Sequence, residues 1–203
     1  NLGISLRNIF DFKPVYSKFS KKNHPTSVSD AFLWRTDNGF KTKFKYSDIL
    51  DLFYKIKESW VEFHIYSKNN ELLKIEKINN LKLSNEFEIN SEYLNDLEDY
   101  GIFYVYHFSE NTELLTNKDI ISNRCYVGYS QNNNLHSFVH GNTKVKFANI
   151  NYNKSFSSDI VKKSLFKNRI YVIQKYFENF DKNELFFTNP TSKTIRFSFE
   201  DKN

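Results

Sequence analysis

Over residues 60–108, and again over 169–199, apolar and polar residues alternate in short runs separated by Asn-rich turns. A period of two sends successive side chains to opposite faces of an extended strand, so runs of this kind build sheets with one face buried. No nucleotide loop, metal cage or catalytic triad of recognisable spacing interrupts the pattern. The chain is therefore expected to be mainly β, an antiparallel β-sandwich of two related units with two or three short helices.

Residues 1–29, with Pro14 and Pro25 among many Ser, Asn and Lys, read as an irregular N-terminal arm. A first β-sandwich unit is expected over 30–122 and a second, incomplete β unit over 123–203. In the first, residues 31–35 and 40–46 flank Thr36-Asp37-Asn38-Gly39 as a β-hairpin. Ser47 or Asp48 caps a short helix that carries Ile49, Leu50, Leu52, Phe53 and Ile56 on one face. Residues 60–66 and 71–78 form a second hairpin, 87–89 a strand and 91–97 a helical turn. Residues 101–108, apolar throughout, read as a central strand buried on both faces. In the second unit, strands at 124–129 and 135–140 fold back around Gln131-Asn132-Asn133-Asn134. A helix is expected over 159–168, followed by strands at 169–177, 185–188 and 194–199. Phe32-Leu33-Trp34-Arg35-Thr36-Asp37 is echoed by Leu185-Phe186-Phe187-Thr188-Asn189, which is the basis for two related units. The second copy would end with a sheet edge open to another strand or chain.

The hairpin Val61-Glu62-Phe63-His64-Ile65-Tyr66-Ser67-Lys68, the strand ending Phe87-Glu88-Ile89, the segment Asn95-Asp96-Leu97 and the final strand over 101–108 together resemble, in strand order, the sensory-rhodopsin-transducer family. The resemblance implies a small β-sandwich similar in shape to carbohydrate-binding modules, with a binding or signalling role. It covers residues 60–108 only and shares no residue-specific motif, so it implies no functional residue.

The chain of 203 residues has a formal net charge of +5, which invites a nucleic-acid partner. Yet 24 Lys against 5 Arg, with 26 Asn and only 2 Ala, follow the A/T-rich codons of a low-G+C bacterial genome and need no selection for phosphate contact. Lys41, Lys43 and Lys45 alternate as the solvent face of a strand would. Nucleic acid is accordingly not the expected partner. Cys125 is the only cysteine, which excludes an internal disulfide, fits a reducing, cytoplasmic setting and reads as a buried thiol. No run of eighteen apolar residues is present to span a membrane.

The densest polar and aromatic segment is 124–142, with Arg124, Tyr126, Tyr129, His136, His140 and Asn142 beside Gly128 and Gly141. Imidazole, amide and phenol groups on a loop suit hydrogen bonding to hydroxyl-rich ligands, and tyrosine rings offer stacking faces. Trp34 and Arg35 on the first hairpin add a stacking and cation–π pair. His136 and His140 share a strand face but lie roughly 13 Å apart, too far to grip one ion, so neither metal nor cofactor is expected. These features point to a non-enzymatic binding module that recognises a carbohydrate or a protein partner through 124–142, with self-association through an exposed strand edge. The alternative is a glycan-processing hydrolase or isomerase using His136 or His140 as general base, which requires an orienting carboxylate about 3 Å away.

Overall fold

The computed structural model describes residues 13–15, 26–29, 31–110, 120–132, 134–146, 161–163, 184–186 and 198. Its strands are β1 (Lys13–Val15), β2 (Thr26–Ser29), β3 (Phe32–Arg35), β4 (Phe40–Tyr46), β5 (Ser59–Ser67), β6 (Leu72–Ile78), β7 (Asn85–Ile89), β8 (Tyr100–Ser109), β9 (Ile120–Gln131), β10 (Ser137–Lys146) and β11 (Val161–Lys163). One α-helix, α1 (Ile49–Tyr54), and 3-10 turns at Asp37–Gly39 and Glu92–Leu94 are the helical elements among the described residues. The fold is mainly β, as the alternation requires.

A compact unit over residues 22–153 holds two antiparallel sheets, one of five strands in the order β2-β10-β9-β4-β7 and one of four in the order β3-β8-β5-β6. The two-stranded pair β1–β11 belongs to a second unit made of residues 1–21 and 154–203. Along β5 every odd residue from Ser59 to Ser67 is buried and every even one half-buried, which is the period-two signal in three dimensions. The buried parity of the four-stranded sheet brings Phe32, Trp34, Phe63, Ile65 and Phe103 against Phe44, Tyr46, Cys125 and Val127 of the five-stranded sheet. Phe44 stands edge-on to Phe63 and Phe103, with ring centroids 5.8 and 5.3 Å apart, the geometry aromatic quadrupoles favour. β8 lies between β3 and β5, so the expected central strand is central.

Trp34 ties the four-stranded sheet together. It pairs with Gly101 of β8, and its indole crosses that residue to donate from Nε1 to the Tyr66 carbonyl of β5 at 2.8 Å. A Cβ at Gly101 would collide with the same carbonyl, so only glycine leaves the indole its path. At the start of α1, Asp48 is buried yet satisfied. Its Oδ1 accepts from the Leu50 and Asp51 amides and its Oδ2 from the Ser59 hydroxyl at 2.6 Å, so the cap also fastens α1 to β5. Lys55 in the left-handed region ends the helix.

Several expectations are corrected. β3 and β4 are consecutive but not a paired hairpin: β3 pairs with β8, and β4 with β7 and β9 in the other sheet. The cause is local. Asn38 and Gly39 take positive φ, and the Thr42 hydroxyl accepts from the Arg35 amide and donates to the Arg35 carbonyl, replacing a backbone ladder. The irregular arm contains β1 and β2, and β2 extends the five-stranded sheet beside β10. The expected division at 122/123 falls inside β9, which pairs along residues 126–131 with β4, so both sides of that division share one sheet. Residues 161–163, within the expected helix over 159–168, form strand β11. Leu185 and Phe186, which open the expected strand over 185–188, belong to no regular element. The expected strands over 169–177 and 194–199, and the echo at 187–189, lie outside the described residues apart from Ser198. Among the described residues no helix is long and apolar enough to cross a membrane.

Candidate functional site

The segment 124–142 is a long antiparallel hairpin rather than a loop. β9 and β10 pair from Tyr129 opposite Ser137 to Ile120 opposite Lys146, around a short turn in which the Asn134 amide donates to the Gln131 carbonyl. Because opposite residues share a face, parity sorts the candidates. Tyr129 points inward. It packs against the core, its hydroxyl donates to the Leu33 carbonyl of the other sheet at 2.9 Å, and burial pushes its phenol pKa up against a small opposing effect of Arg35. Tyr126 and His140, directly opposite one another, point outward and are exposed, with ring centroids 6.5 Å apart. Arg124 and Asn142 face each other in the same register, but their side chains lie outside the described residues.

Two more outward rings, the expected His136 and in addition Phe138, complete a patch. Phe138 lies opposite Gly128, and its ring covers that glycine so closely that a Cβ there would sit 2.5 Å from two ring carbons. An aromatic ring laid over a cross-strand glycine is a familiar way to cover exposed backbone. Phe138 nevertheless keeps 38% of its surface exposed. His136 stacks on Phe138 at 5.8 Å with 28° between the planes, and its Nε2 is 3.2 Å from the Ser130 hydroxyl. Burial, then the charge of Lys43, lowers the His136 pKa, with Glu88 opposing and Lys41 and Lys45 adding to the fall.

The same face continues onto β4 and β7. Lys45 lies opposite Tyr126 and Lys43 opposite Gly128, while across the next ladder Lys45 faces Glu86 and Lys43 faces Glu88. Lys45 reaches Glu86 at 2.8 Å, and Lys43 sits between both carboxylates at 3.7 and 3.6 Å. The hydrogen bond from Lys45 holds the Glu86 pKa below the usual carboxylate range. The Lys45 ammonium lies 5.1 Å from the Phe138 centroid. The alternating lysines are thus the outward face of a strand, as their spacing implied.

Trp34 and Arg35 do not join this patch. Trp34 is wholly buried and its Nε1 is committed to Tyr66. Arg35 is 7% exposed, forms a two-pronged pair with Asp37 at 2.9 and 2.7 Å, and lies 3.8 Å above the Phe40 ring. Both have structural partners, as does Tyr129, and none of the three belongs to the outward face. No family model, curated protein or solved structure matches this chain. The resemblance over residues 60–108 therefore remains one of strand order.

Sequence reasoning missed a second aromatic layer, on the outer face of the four-stranded sheet. Trp60 stacks on Phe108 at 5.6 Å, His64 meets Tyr106 at 4.6 Å, and Tyr66 meets Tyr104 at 5.9 Å. Here His64 Nε2 lies 3.0 Å from Glu62 Oε2. The signal was available, because Glu62 and His64 two apart on a strand must share a face. The side chains of His64 and Glu62 are only 12% and 18% exposed, whereas Ile75 and Leu72 of edge strand β6, on the same face, are 48% and 50% exposed. Among the described residues, neither His136 nor His140 has a carboxylate within hydrogen-bond distance, and no cluster of His, Cys, Asp and Glu could hold a metal.

Proposed function

We propose that this protein is a non-enzymatic binding module that recognises carbohydrate through the outer face of its five-stranded sheet. The observation that carries the reading is the partly exposed Phe138 ring, seated on Gly128, flanked by His136 and with the Lys45 ammonium 5.1 Å from its centroid. A pyranose presents a face of C–H groups that stacks on such a ring, while its equatorial hydroxyls reach sideways to donors and acceptors. Glu86, Glu88, Lys43 and Lys45 supply both kinds next to the rings. The bordering groups suit orientation of a ligand better than proton transfer, because among the described residues no carboxylate lies within hydrogen-bond distance of His136 or His140.

Calorimetric titration against soluble oligosaccharides and a glycan array tests this. Phe138→Ala and Tyr126→Ala should each weaken binding at least ~10-fold, about 1.4 kcal/mol, without changing the circular dichroism spectrum. Absence of binding to every sugar would remove the reading.

A protein partner is the second reading, favoured by Leu135, 96% exposed beside the β9–β10 turn, and Val139, 56% exposed on the opposite face of β10 from Phe138. Leu135→Ser with Val139→Ser would abolish a protein contact and leave sugar binding intact.

A further inference from the structure

Outward rings follow one another along the start of β10. His136, just before the strand, and Phe138 and His140 within it alternate with residues of the opposite parity, so their backbone positions span roughly 13 Å, and the His136 and Phe138 ring centroids lie 5.8 Å apart. Tyr126 widens the row at its His140 end. A single sugar ring covers only one of these steps, whereas a row running along a strand can follow a chain of several.

The paired charges beside the middle of the row bear on what kind of chain. Lys43 and Lys45 are the cations nearest the middle of the row, and both are closed on carboxylates of β7, Lys45 to Glu86 and Lys43 between Glu86 and Glu88. An anionic polymer would have to displace those carboxylates or approach them, and like charge side by side costs binding energy. A groove that tracks a nucleic-acid backbone needs cations available to phosphate, and these two already have partners. Paired charges still offer hydrogen bonds, since an ammonium keeps further protons and a carboxylate further lone pairs for hydroxyl groups.

Resting on the carbohydrate reading above, we propose that the ligand is an uncharged, extended glycan laid along β10, with successive sugar rings stacked on His136, Phe138 and His140 and their hydroxyls bonded to the Lys43–Glu88 and Lys45–Glu86 pairs. Affinity then grows with chain length until the row is filled, and it is insensitive to salt.

The test is calorimetric titration of the full chain with neutral β-linked and α-linked gluco-, manno- and xylo-oligosaccharides from one to six units. Uronic-acid and sulfated oligosaccharides and oligo(dT) complete the panel, each at 50 and 300 mM NaCl. Expected are at least a 10-fold gain from one unit to four in a neutral series, less than a 2-fold change with salt, and weaker binding of every anionic ligand. Phe138→Leu, which keeps Gly128 covered, should remove most of the length dependence, and its thermal melt reports folding separately. Anionic oligosaccharides that bind as tightly as neutral ones, or neutral binding that does not grow with length, overturn this inference and leave the carbohydrate reading standing. Binding of oligo(dT) alone, or of nothing in the panel, overturns both.

Discussion

His107 is wholly buried in β8 opposite Val61, and burial pushes its imidazole pKa down to about 3 from a value of 6.5. Below pH 6.5 the unfolded chain takes up a proton that the folded chain refuses, so this group's contribution is present above 6.5 and lost as pH falls toward 3. The loss approaches ~1.4 kcal/mol per pH unit. Urea unfolding between pH 7.5 and 4.5 should therefore show a shallower fall for His107→Leu than for the parent. Asp48 answers to a different term. Asp48→Ala strips the first turn of α1 of its cap and leaves the Ser59 hydroxyl buried without its acceptor, a loss of roughly 2 kcal/mol or more, read from the urea midpoint. Tyr129→Phe forfeits one bond between the sheets, about 1 kcal/mol, and should leave ligand affinity unchanged, in contrast to Tyr126→Ala. That contrast shows what the residues could and could not reveal. Tyr126 and Tyr129 have opposite parity, so one had to face the core. With tyrosines on both parities of β9, composition alone does not say which.

At the level of strands, the legible elements are those whose pairing is settled nearby. The β5–β6 hairpin reads from sequence because Ser67 takes the Asn69 and Glu71 amides on its hydroxyl and Asn70 adopts positive φ, turn chemistry visible in the letters. The link between β3 and β4 looks the same in sequence and is not the same, since the Thr42 side chain imitates a ladder bond and lets β4 leave for the other sheet. Edge β6 carries its own restraint on self-association. Lys74 and Glu76 lie opposite the core-facing residues Ile65 and Phe63, and Glu76 accepts from the Tyr93 hydroxyl. The pairing with β5 is also broken by a register shift at Ile65/Tyr66. Inward-pointing charges and a bulge both discourage addition of a further strand. Replacing Lys74 and Glu76 together by valine should make the protein associate at concentrations where the parent stays at one sedimentation coefficient, and equal sedimentation of the two would refute the role given to these charges.

Across the whole of residues 22–153 the chain alternates between sheets: β3 in one, β4 in the other, β5 and β6 back in the first, then β7, β8 and β9 in turn. Nearly every ladder except β5–β6 and β9–β10 joins residues far apart in sequence, and such topologies fold slowly, in roughly milliseconds to seconds, because distant ends must meet before any bond repays the loss of chain freedom. Stopped-flow refolding should fall in that range. The same interleaving explains why period two disclosed layers but not partners. Alternation fixes which residues face inward, whereas sheet order depends on contacts such as Phe44 with Phe103 that no local pattern encodes. Long crossings also hid the continuity of β9, where a boundary is expected from the sequence. The chain has two tryptophans, one sealed on the inner side of the four-stranded sheet and the other, Trp60, half-buried on its outer side. Replacing either by phenylalanine leaves a single indole emitter. The Trp34 signal would then mark closure of the interior, and the Trp60 signal would mark events at the opposite surface, with no dye attached.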